Sequence, residues 1–425
     1  MVEVLLYFDI LNRYIIPPPS DILVALPRVI MEEHVLSRFL LTAGESHGPQ
    51  LTILVQNLPA GLPVLAEDIN VDLQRRQKGY GRGGRQQIER DCVDIVGGIR
   101  DGRTMGGPVA MVVKNLDWPN WQGRMDVEPM ASPPEPVTRL RPGHADLAGV
   151  VKFGHSDVRN VLERASARET ASRVAAGALC KVFLREFGIA IRSHVRSIGP
   201  AVANIPDELT VRRLDTDPWW ALVEESPIRT GDKAFETQAT ELIKEARTAG
   251  DTLGGVFEVI AYGLPIGLGT YGQWDERLDG RLAGAMMSIQ SIKGVELGDA
   301  FANSGRHGSQ AHDVIDYDAE HGWTRPTNRA GGLEGGITNG MPLVVRGAAK
   351  PISTLIHPLP SVDYATRERS LAHVERSDVC VLPAAGVVGE AMVAIVLADS
   401  LRVKFGGDSL DEALNSYQTY QARHG

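Results

Sequence analysis

The chain has 425 residues, of which 43% are hydrophobic and 23% charged, and its formal net charge is −9. These proportions exclude a disordered chain, and the acidic balance disfavours a protein that coats nucleic acid or anionic membranes. Cys92, Cys180 and Cys380 lie far apart and form no CxxC motif, which argues against a disulfide framework or a structural zinc site and indicates a reducing cytoplasm.

Residues 1–38 differ in sequence pattern from the rest of the chain. Three consecutive prolines at 17–19 interrupt them, and the acidic residues Glu3 and Asp9, with no basic segment, argue against a signal peptide. No linker or charge block divides the sequence that follows. We therefore predict an N-terminal extension over residues 1–38, whose order the sequence leaves open, and a single domain over residues 39–425.

Apolar residues alternate with polar ones in three segments, which predicts strands over residues 51–57, 108–114 and 255–262. The uncharged stretch over residues 259–274 is interrupted by glycines and a proline and is too short to span a bilayer. The sequence therefore predicts a protein without a membrane-spanning segment.

Three segments show helical spacing of apolar residues, and they predict helices over residues 158–187, 278–293 and 386–405. The third segment is apolar on almost every side, and such a helix must be buried on every side. We therefore expect an α/β fold in which helices lie enclosed between layers of sheet.

Two histidines occur in similar settings, His47 in GESHGP and His144 in RPGHAD. Each lies in a loop punctuated by glycine or proline, where an imidazole can face a cleft and act as a general acid near neutral pH. The alternative for each is an ordinary loop histidine that hydrogen-bonds to the backbone. His307 and His312 are five residues apart and make a poor metal pair, so we predict no metal site.

A basic, glycine-rich segment, RRQKGYGRGGRQ, spans residues 75–86 and carries five cations, namely Arg75, Arg76, Lys78, Arg82 and Arg85. Glycines allow close approach to an anion, and arginine binds phosphate through two hydrogen bonds. A phosphate-binding loop, an RGG-like nucleic-acid segment and a solvated surface turn are all compatible with this pattern. The segment contains neither a Walker A motif nor a dinucleotide fingerprint.

Further cations lie in polar, glycine-containing segments; they are Arg139, Arg141, Arg164, Arg168, Arg329, Lys350 and Arg376. Such an excess in an acidic protein suggests a polyanionic ligand. Residues 331–340, GGLEGGITNG, contain five glycines. They fit either an ordered loop with several turns or a loop whose amides wrap a flat or phosphorylated cofactor.

Taken together, these segments resemble the chorismate synthase family. The resemblance covers about residues 38–425, and its motifs occur in the family's order: GESHG, GYGRGGR, GGP (106–108), RPGHAD, RASARET (164–170), GDTLGG (250–255), IKGVELG (292–298), NRAGGLEGGITNG, KPIST and RSDVC (376–380). Residues 1–38, 204–238 and 355–373 carry none of these motifs.

The resemblance implies a single α/β domain with helices sandwiched between β-sheets, assembled as a homotetramer. It also implies a lyase that converts 5-enolpyruvylshikimate 3-phosphate to chorismate by 1,4-elimination of phosphate, the last step of the shikimate pathway in aromatic amino acid biosynthesis. The family requires reduced FMN, which lends electron density and takes it back. NADPH or an external flavin reductase is the expected source of reductant.

The resemblance also assigns catalytic roles. It implies that His47 protonates the departing phosphate and that His144 protonates the reduced flavin and holds it as the monoanion. Asp378 matches the acidic residue that works with flavin N5 to remove the C6 proton, and Ser46 and Ser166 match serines that assist this relay.

Further positions match residues that contact cofactors in the family. Arg76 and Arg82 match positions assigned to NADP, although both could equally serve the substrate phosphate. The positions that match FMN contacts are Arg164, Ala165, Ser166, Gln290, Ser291, Gly335, Lys350, Pro351, Ile352, Ser353, Thr354 and Arg376.

The sequence supports two other functions less well. An RNA-binding protein would use the KGYGRGGR segment, but only Tyr80 supplies an aromatic ring among its basic residues. A P-loop kinase would need a lysine motif that the sequence lacks.

Overall fold

A computed structural model describes residues 39–83, 90–130, 132–319, 322–375 and 377–424 of the chain. The predicted extension, residues 1–38, lies outside the described residues. Residues 42–425 form a compact unit, and the cavity discussed below lies in it.

The strands, in chain order, are β1 (Leu40–Ala43), β2 (Gln50–Val55), β3 (Val93–Gly97), β4 (Ile99–Arg100), β5 (Arg103–Thr104), β6 (Val109–Lys114), β7 (Ala190–Ile198), β8 (Ala201–Val202), β9 (Gly255–Tyr262), β10 (Ile292–Leu297), β11 (Asp316–Asp318), β12 (Gly322–Thr324), β13 (Leu333–Glu334), β14 (Ile337–Thr338), β15 (Leu343–Ala349), β16 (Pro360–Val362) and β17 (Arg369–Leu371).

The α-helices are α1 (Ala66–Gln77), α2 (Asp146–Phe153), α3 (Arg159–Ala165), α4 (Thr170–Glu186), α5 (Glu208–Val211), α6 (Trp219–Glu225), α7 (Lys233–Thr248), α8 (Leu278–Met287), α9 (Ala300–Asn303), α10 (Gly308–Ala311), α11 (Leu382–Phe405) and α12 (Leu410–His424).

Two antiparallel sheets form the outer layers around the core. In the first sheet β2 and β3 pair with opposite edges of β6, and Leu51, Ile53 and Val55 of β2 alternate into the interior. The second sheet has the order β10-β15-β9-β7-β8. Alternation buries one face of each sheet, so each needs an apolar layer to cover it.

Helices supply that layer. Helix α4 packs against β2 of the first sheet and β7 of the second, while α11 packs against α4, β7 and β9. Gly177 of α4 lies so close to α11 that a Cβ atom there would meet the Ala391 Cβ at 2.3 Å. Helices thus lie between two sheets, as expected from the apolar character of residues 386–405.

Helix α11 begins at Leu382, four residues before the predicted start, because Pro383 is accommodated in its first turn, where no amide hydrogen bond is needed. It is long and apolar enough to cross a membrane by composition. However, 94% of its apolar window is buried inside the protein, which is the placement of a core helix.

Strand predictions are accurate and helix predictions less so. Residues 255–262 form β9 as predicted, and the other two predicted strands differ from β2 and β6 by one or two residues at their ends. The prediction of one helix over 158–187 was wrong. Ser166 has an extended backbone with ψ of 140°, and its side chain accepts the Arg168 amide, so α3 ends before a 3-10 turn at 167–169 and α4 follows.

The predicted helix over 278–293 is also too long. Helix α8 ends at Met287, and Ser291 adopts a left-handed φ of 69° that a continuous helix does not allow. Residues from Ile292 onward pair with β15 as strand β10. Both errors occur where the backbone changes direction beside the cavity.

Candidate active site

A cavity of about 890 Å³ opens where several loops meet the buried helices. The loops that follow β1 and β15, the loop before α2, the break between α3 and α4, and the turn between α8 and β10 all contribute to its wall. The first turns of α11 close it with Val381, Ala384 and Val388. Segments from distant parts of the chain therefore converge on one concave site.

His47 is held by a buried carboxylate and an aromatic ring. Its Nδ1 lies 2.9 Å from Oε1 of Glu163, and its main-chain amide donates to Oε2 of the same carboxylate at 2.8 Å. The indole of Trp121 stacks on the imidazole with 3.8 Å between ring centroids. Because Glu163 is only 2% exposed, this pair is shielded from water on one side and faces the cavity on the other.

His144 lies at the same cavity in a different arrangement. Its Nδ1 contacts Oδ1 of Asp146, and the Arg141 guanidinium reaches the same nitrogen at 3.0 Å. Asp146 also accepts from the Arg141 amide and Nε, both at 3.0 Å. Burial alone would raise the pKa of Asp146, but the hydrogen bonds from His144 and Arg141 outweigh it and lower this pKa to about 2.

Two serines link the His47 loop to the break after α3. The Ser166 hydroxyl donates to the Ser46 hydroxyl at 3.0 Å and accepts the Arg168 amide at 3.2 Å. Both serines line the cavity. The backbone break that the sequence did not predict is therefore what turns Ser166 toward this site.

Asp378 also lines the cavity, and residues of the basic segment orient its side chain. Arg82 forms an ion pair with it at 2.8 Å, and the Gly83 amide donates to it at 2.6 Å. The carboxylate is partly exposed to the cavity, while its charge is balanced by the guanidinium. A group in this position can accept a proton from a bound molecule.

The first part of the basic segment is helical rather than a loop. Arg75 lies in α1 and forms buried ion pairs with Asp72, Glu224 and Glu390. Arg76 lines the cavity but donates to Thr170. These placements disfavour an RGG-like segment, whose arginines must reach a nucleic acid. Residues 84–89, including Arg85, lie outside the described residues.

Asp91 joins two arginines of the cavity wall. It contacts Arg76 at 3.2 Å and Arg168 at 2.8 Å, and all three side chains are buried. This carboxylate offsets part of the positive charge of the two guanidinium groups and holds them in place.

Two lysines of the cavity wall have no such carboxylate. Within the part of the chain that the structure describes, neither Lys293 nor Lys350 forms an ion pair. Burial and the nearby charge of Lys293 both lower the pKa of Lys350. Two like charges held together without a counterion are characteristic of a site that binds an anion such as phosphate.

Part of the cavity lining suits a flat ring with polar edges. Leu162, Ala165 and Met287 present apolar surface, and Oε1 of Gln290 is buried with no hydrogen-bond partner among the residues that the structure describes. A buried acceptor without a partner is costly unless a ligand supplies a donor. FMN has a flat ring with an N–H edge and a phosphate group, so these residues together with the two lysines fit it.

Most of the residues predicted from the sequence line this one cavity. They are Ser46, His47, Arg76, Arg82, His144, Ala165, Ser166, Gln290, Ser291, Lys350, Ile352, Ser353, Thr354 and Asp378.

Three predicted cofactor contacts do not line it. Arg164 is exposed and donates to the backbone of Thr42 and Gly44, because the end of α3 turns its side chain away from the cavity. Gly335 lies in the exposed turn between β13 and β14, and Pro351 is an exposed residue between two cavity residues. Arg376 lies outside the described residues.

Sequence reasoning missed several residues of the site, four of which bear on its chemistry. Glu163, Trp121, Asp146 and Lys293 contact the two histidines or line the cavity. Asp146 and Lys293 lie inside motifs already noted, RPGHAD and IKGVELG, and Glu163 directly precedes RASARET. Trp121 lies in no motif, and only the fold brings it to His47.

Comparisons with known proteins agree on one family. A family model described as chorismate synthase matches residues 39–401. The chorismate synthase of Symbiobacterium thermophilum is 53% identical over 386 residues, covering 89% of this chain and 97% of the relative. That of Solibacter usitatus is 53% identical over 384 residues with the same coverage. A crystal structure of chorismate synthase is 42% identical, with a TM-score of 0.72, covering 91% of this chain and 98% of that one.

Proposed function

This chain belongs to the chorismate synthase family, and we propose that the cavity between His47 and His144 is where it removes phosphate from 5-enolpyruvylshikimate 3-phosphate to give chorismate. The protein is a lyase of the shikimate pathway, and its family uses reduced FMN. The observation that carries the placement of this reaction is the convergence of two histidines and several cations on one cavity.

The distribution of charge supports two anionic ligands. The arginines of the wall are paired with Asp91, Asp146 and Asp378, whereas Lys293 and Lys350 form no ion pair within the described residues. The substrate and FMN each carry a phosphate, and both need cations for binding. These two lysines therefore supply charge for a ligand phosphate.

His47 is the proton donor that we assign to the departing phosphate. The leaving group gains negative charge as its C–O bond breaks, and a proton delivered to its oxygen stabilises it. The ring is fixed by Glu163 at one edge and Trp121 on one face, so little reorganisation is needed when the proton moves.

Asp378 is the acceptor that we assign to the proton from C6 of the substrate. Arg82 and the Gly83 amide orient its carboxylate at the cavity. Ser46 and Ser166 form a hydrogen-bonded pair of hydroxyls that would assist this proton relay.

Reduced FMN, when bound, supplies the transient electron density that makes removal of an unactivated hydrogen feasible. Gln290, Ser291, Lys350 and the segment 352–354 would hold it, and His144, positioned by Asp146 and Arg141, would control a proton at its ring. Arg76 and Arg82 are the proposed contacts for NADPH as reductant, with an external flavin reductase as the alternative source. We further propose a cytoplasmic homotetramer.

The test is an anaerobic assay with dithionite-reduced FMN and 5-enolpyruvylshikimate 3-phosphate, following the absorbance of chorismate. We expect steady turnover with reduced FMN and none with oxidised FMN in the absence of reductant. The absence of turnover by folded protein, with its secondary structure verified by circular dichroism, would contradict the proposed function.

A further inference from the structure

Glu163 contacts His47 in two places at once. Its Oε1 lies 2.9 Å from the ring Nδ1 and its Oε2 accepts the main-chain amide of His47 at 2.8 Å. The carbonyl of Glu163 also accepts the amide of Ser46 at 3.1 Å. The short loop that carries Ser46 and His47 is therefore fastened to one residue near the end of α3.

The chemistry of these contacts decides where the ring carries its proton. A main-chain N–H can only donate, so Oε2 of Glu163 must accept from it. An ionised carboxylate accepts at both oxygens, so Nδ1 opposite Oε1 must carry a hydrogen. The arrangement therefore selects the imidazole form with a proton on Nδ1, and Nε2 becomes the nitrogen that exchanges a proton with a molecule in the cavity.

The face of the ring is fixed as well. Trp121 stacks on His47 with an interplanar angle of 26°, and its indole N–H donates to Asp117 at 3.0 Å. The Arg159 guanidinium lies 5.5 Å from the Trp121 ring and 3.4 Å from Oε1 of Glu163. Edge and face contacts together prevent the ring from rotating, and Arg159 offsets the charge of the buried carboxylate.

From this geometry we propose that Glu163 is a positioning residue for the elimination: it holds one proton on Nδ1 of His47, so that the second proton of the ring, on Nε2, is the one given to the departing phosphate. This inference rests on the proposed role of His47 as proton donor. Glu163 itself does not touch the substrate. It acts through the orientation and tautomer of His47, as second partners of functional histidines do elsewhere.

A glutamine at this position makes a sharp test because it has one acceptor and one donor end. The His47 amide requires the glutamine oxygen at the place of Oε2, which turns the NH2 group toward Nδ1. Nδ1 must then accept, so the ring holds a single proton on Nε2 and the doubly protonated form that gives a proton to the phosphate is no longer supported. Glu163→Gln thus keeps the size of the side chain while reversing the tautomer.

The experiment combines kinetics with ring spectroscopy. Anaerobic turnover with reduced FMN is measured for wild type, Glu163→Gln, His47→Gln and the double variant, and the His47 tautomer is read by magic-angle-spinning 15N NMR of histidine-labelled protein. His47→Gln identifies the signal among 11 histidines. His194 is an internal reference of the opposite form, because its Nε2 lies 2.9 Å from Glu258.

We expect Glu163→Gln to lower kcat by about 10²-fold or more, to change KM by less than about threefold, and to move the His47 proton to Nε2. In the His47→Gln background the same substitution should lower kcat no further, since Glu163 acts only through that ring. Glu224→Gln is the matched control. It removes another arginine-paired carboxylate, outside the cavity, and should leave kcat unchanged.

Three results would overturn the inference: a wild-type His47 without a proton on Nδ1, a Glu163→Gln variant with wild-type kcat, or a loss of kcat that is as large in the His47→Gln background as alone. Should Glu163→Gln fail to fold, the wild-type spectrum still decides the tautomer. Absence of turnover in the wild-type protein would refute the proposed function, whereas the spectrum tests the placement of the proton independently of activity.

Discussion

The two histidines of the cavity differ in what holds them. Glu163 binds the ring and the main chain of His47, and Arg159 contacts the same carboxylate at 3.4 Å. Asp146, by contrast, is shared between His144 and Arg141, and Arg141 also contacts the imidazole. A carboxylate that binds both the ring and the main chain of one histidine can control the proton of that ring, whereas a carboxylate held between an imidazole and the guanidinium that contacts it mainly fixes the position of both groups.

This comparison predicts unequal effects of the two imidazoles. His47→Gln should lower kcat by about 10²–10⁴-fold with little change in KM, because the proton donor to the leaving phosphate is lost while the ground-state contacts remain. Anaerobic steady-state kinetics with reduced FMN measure both constants. A kcat within about threefold of wild type would remove His47 from the chemistry.

His144→Ala should lower turnover about 10²-fold, less than the greatest loss expected at His47, because Arg141 and Asp146 remain in place beside the cofactor wall. Circular dichroism should show unchanged secondary structure. Turnover near the wild-type rate in a folded variant would show that the assigned role of His144 is wrong.

Asp146 should contribute to acid stability as well as to position. Its pKa is lowered from 3.8 to about 2 in the folded protein, so its stabilising contribution is present above pH 3.8 and is lost as the pH falls toward 2. This contribution is about 2 kcal/mol. The unfolding free energy from urea titrations should therefore fall less steeply between pH 4 and pH 2 in Asp146→Asn than in wild type, and parallel curves would contradict this.

The smallest effect is expected at the two lysines. Lys293→Ala and Lys350→Ala should each weaken binding of a phosphate-bearing ligand about tenfold, seen as a higher KM for the substrate or a higher Kd for FMN, with kcat less affected. Lys244→Ala, an exposed lysine paired with Glu241, is the control. If neither cavity variant differs from this control, the lysines do not bind the phosphates.

Parts of this account could be predicted from the sequence because they depend on local pattern. The alternation over 255–262 predicts β9, and the all-round apolar character of 386–405 predicts a helix enclosed between sheets. The family motifs predict that His47, His144 and Asp378 belong to one site, and all three line the same cavity. The roles of these residues stay predictions.

The rest depends on tertiary contacts that no local pattern encodes. The helix break at Ser166 arises where its hydroxyl meets Ser46 and the Arg168 amide. Arg76 appears from the sequence to be a loop cation available to a ligand, but Asp91, which lies fifteen residues later, pairs with it. The partnership of Glu163 with His47 joins residues 116 positions apart, so only the fold shows it.

The most direct test of the central claim is a crystal structure of the complex with oxidised FMN and 5-enolpyruvylshikimate 3-phosphate. We predict both molecules in the one cavity, with His47 within hydrogen-bonding distance of the substrate phosphate and His144 beside the flavin ring. Binding of either molecule outside this cavity, or an imidazole that faces neither, would contradict the account.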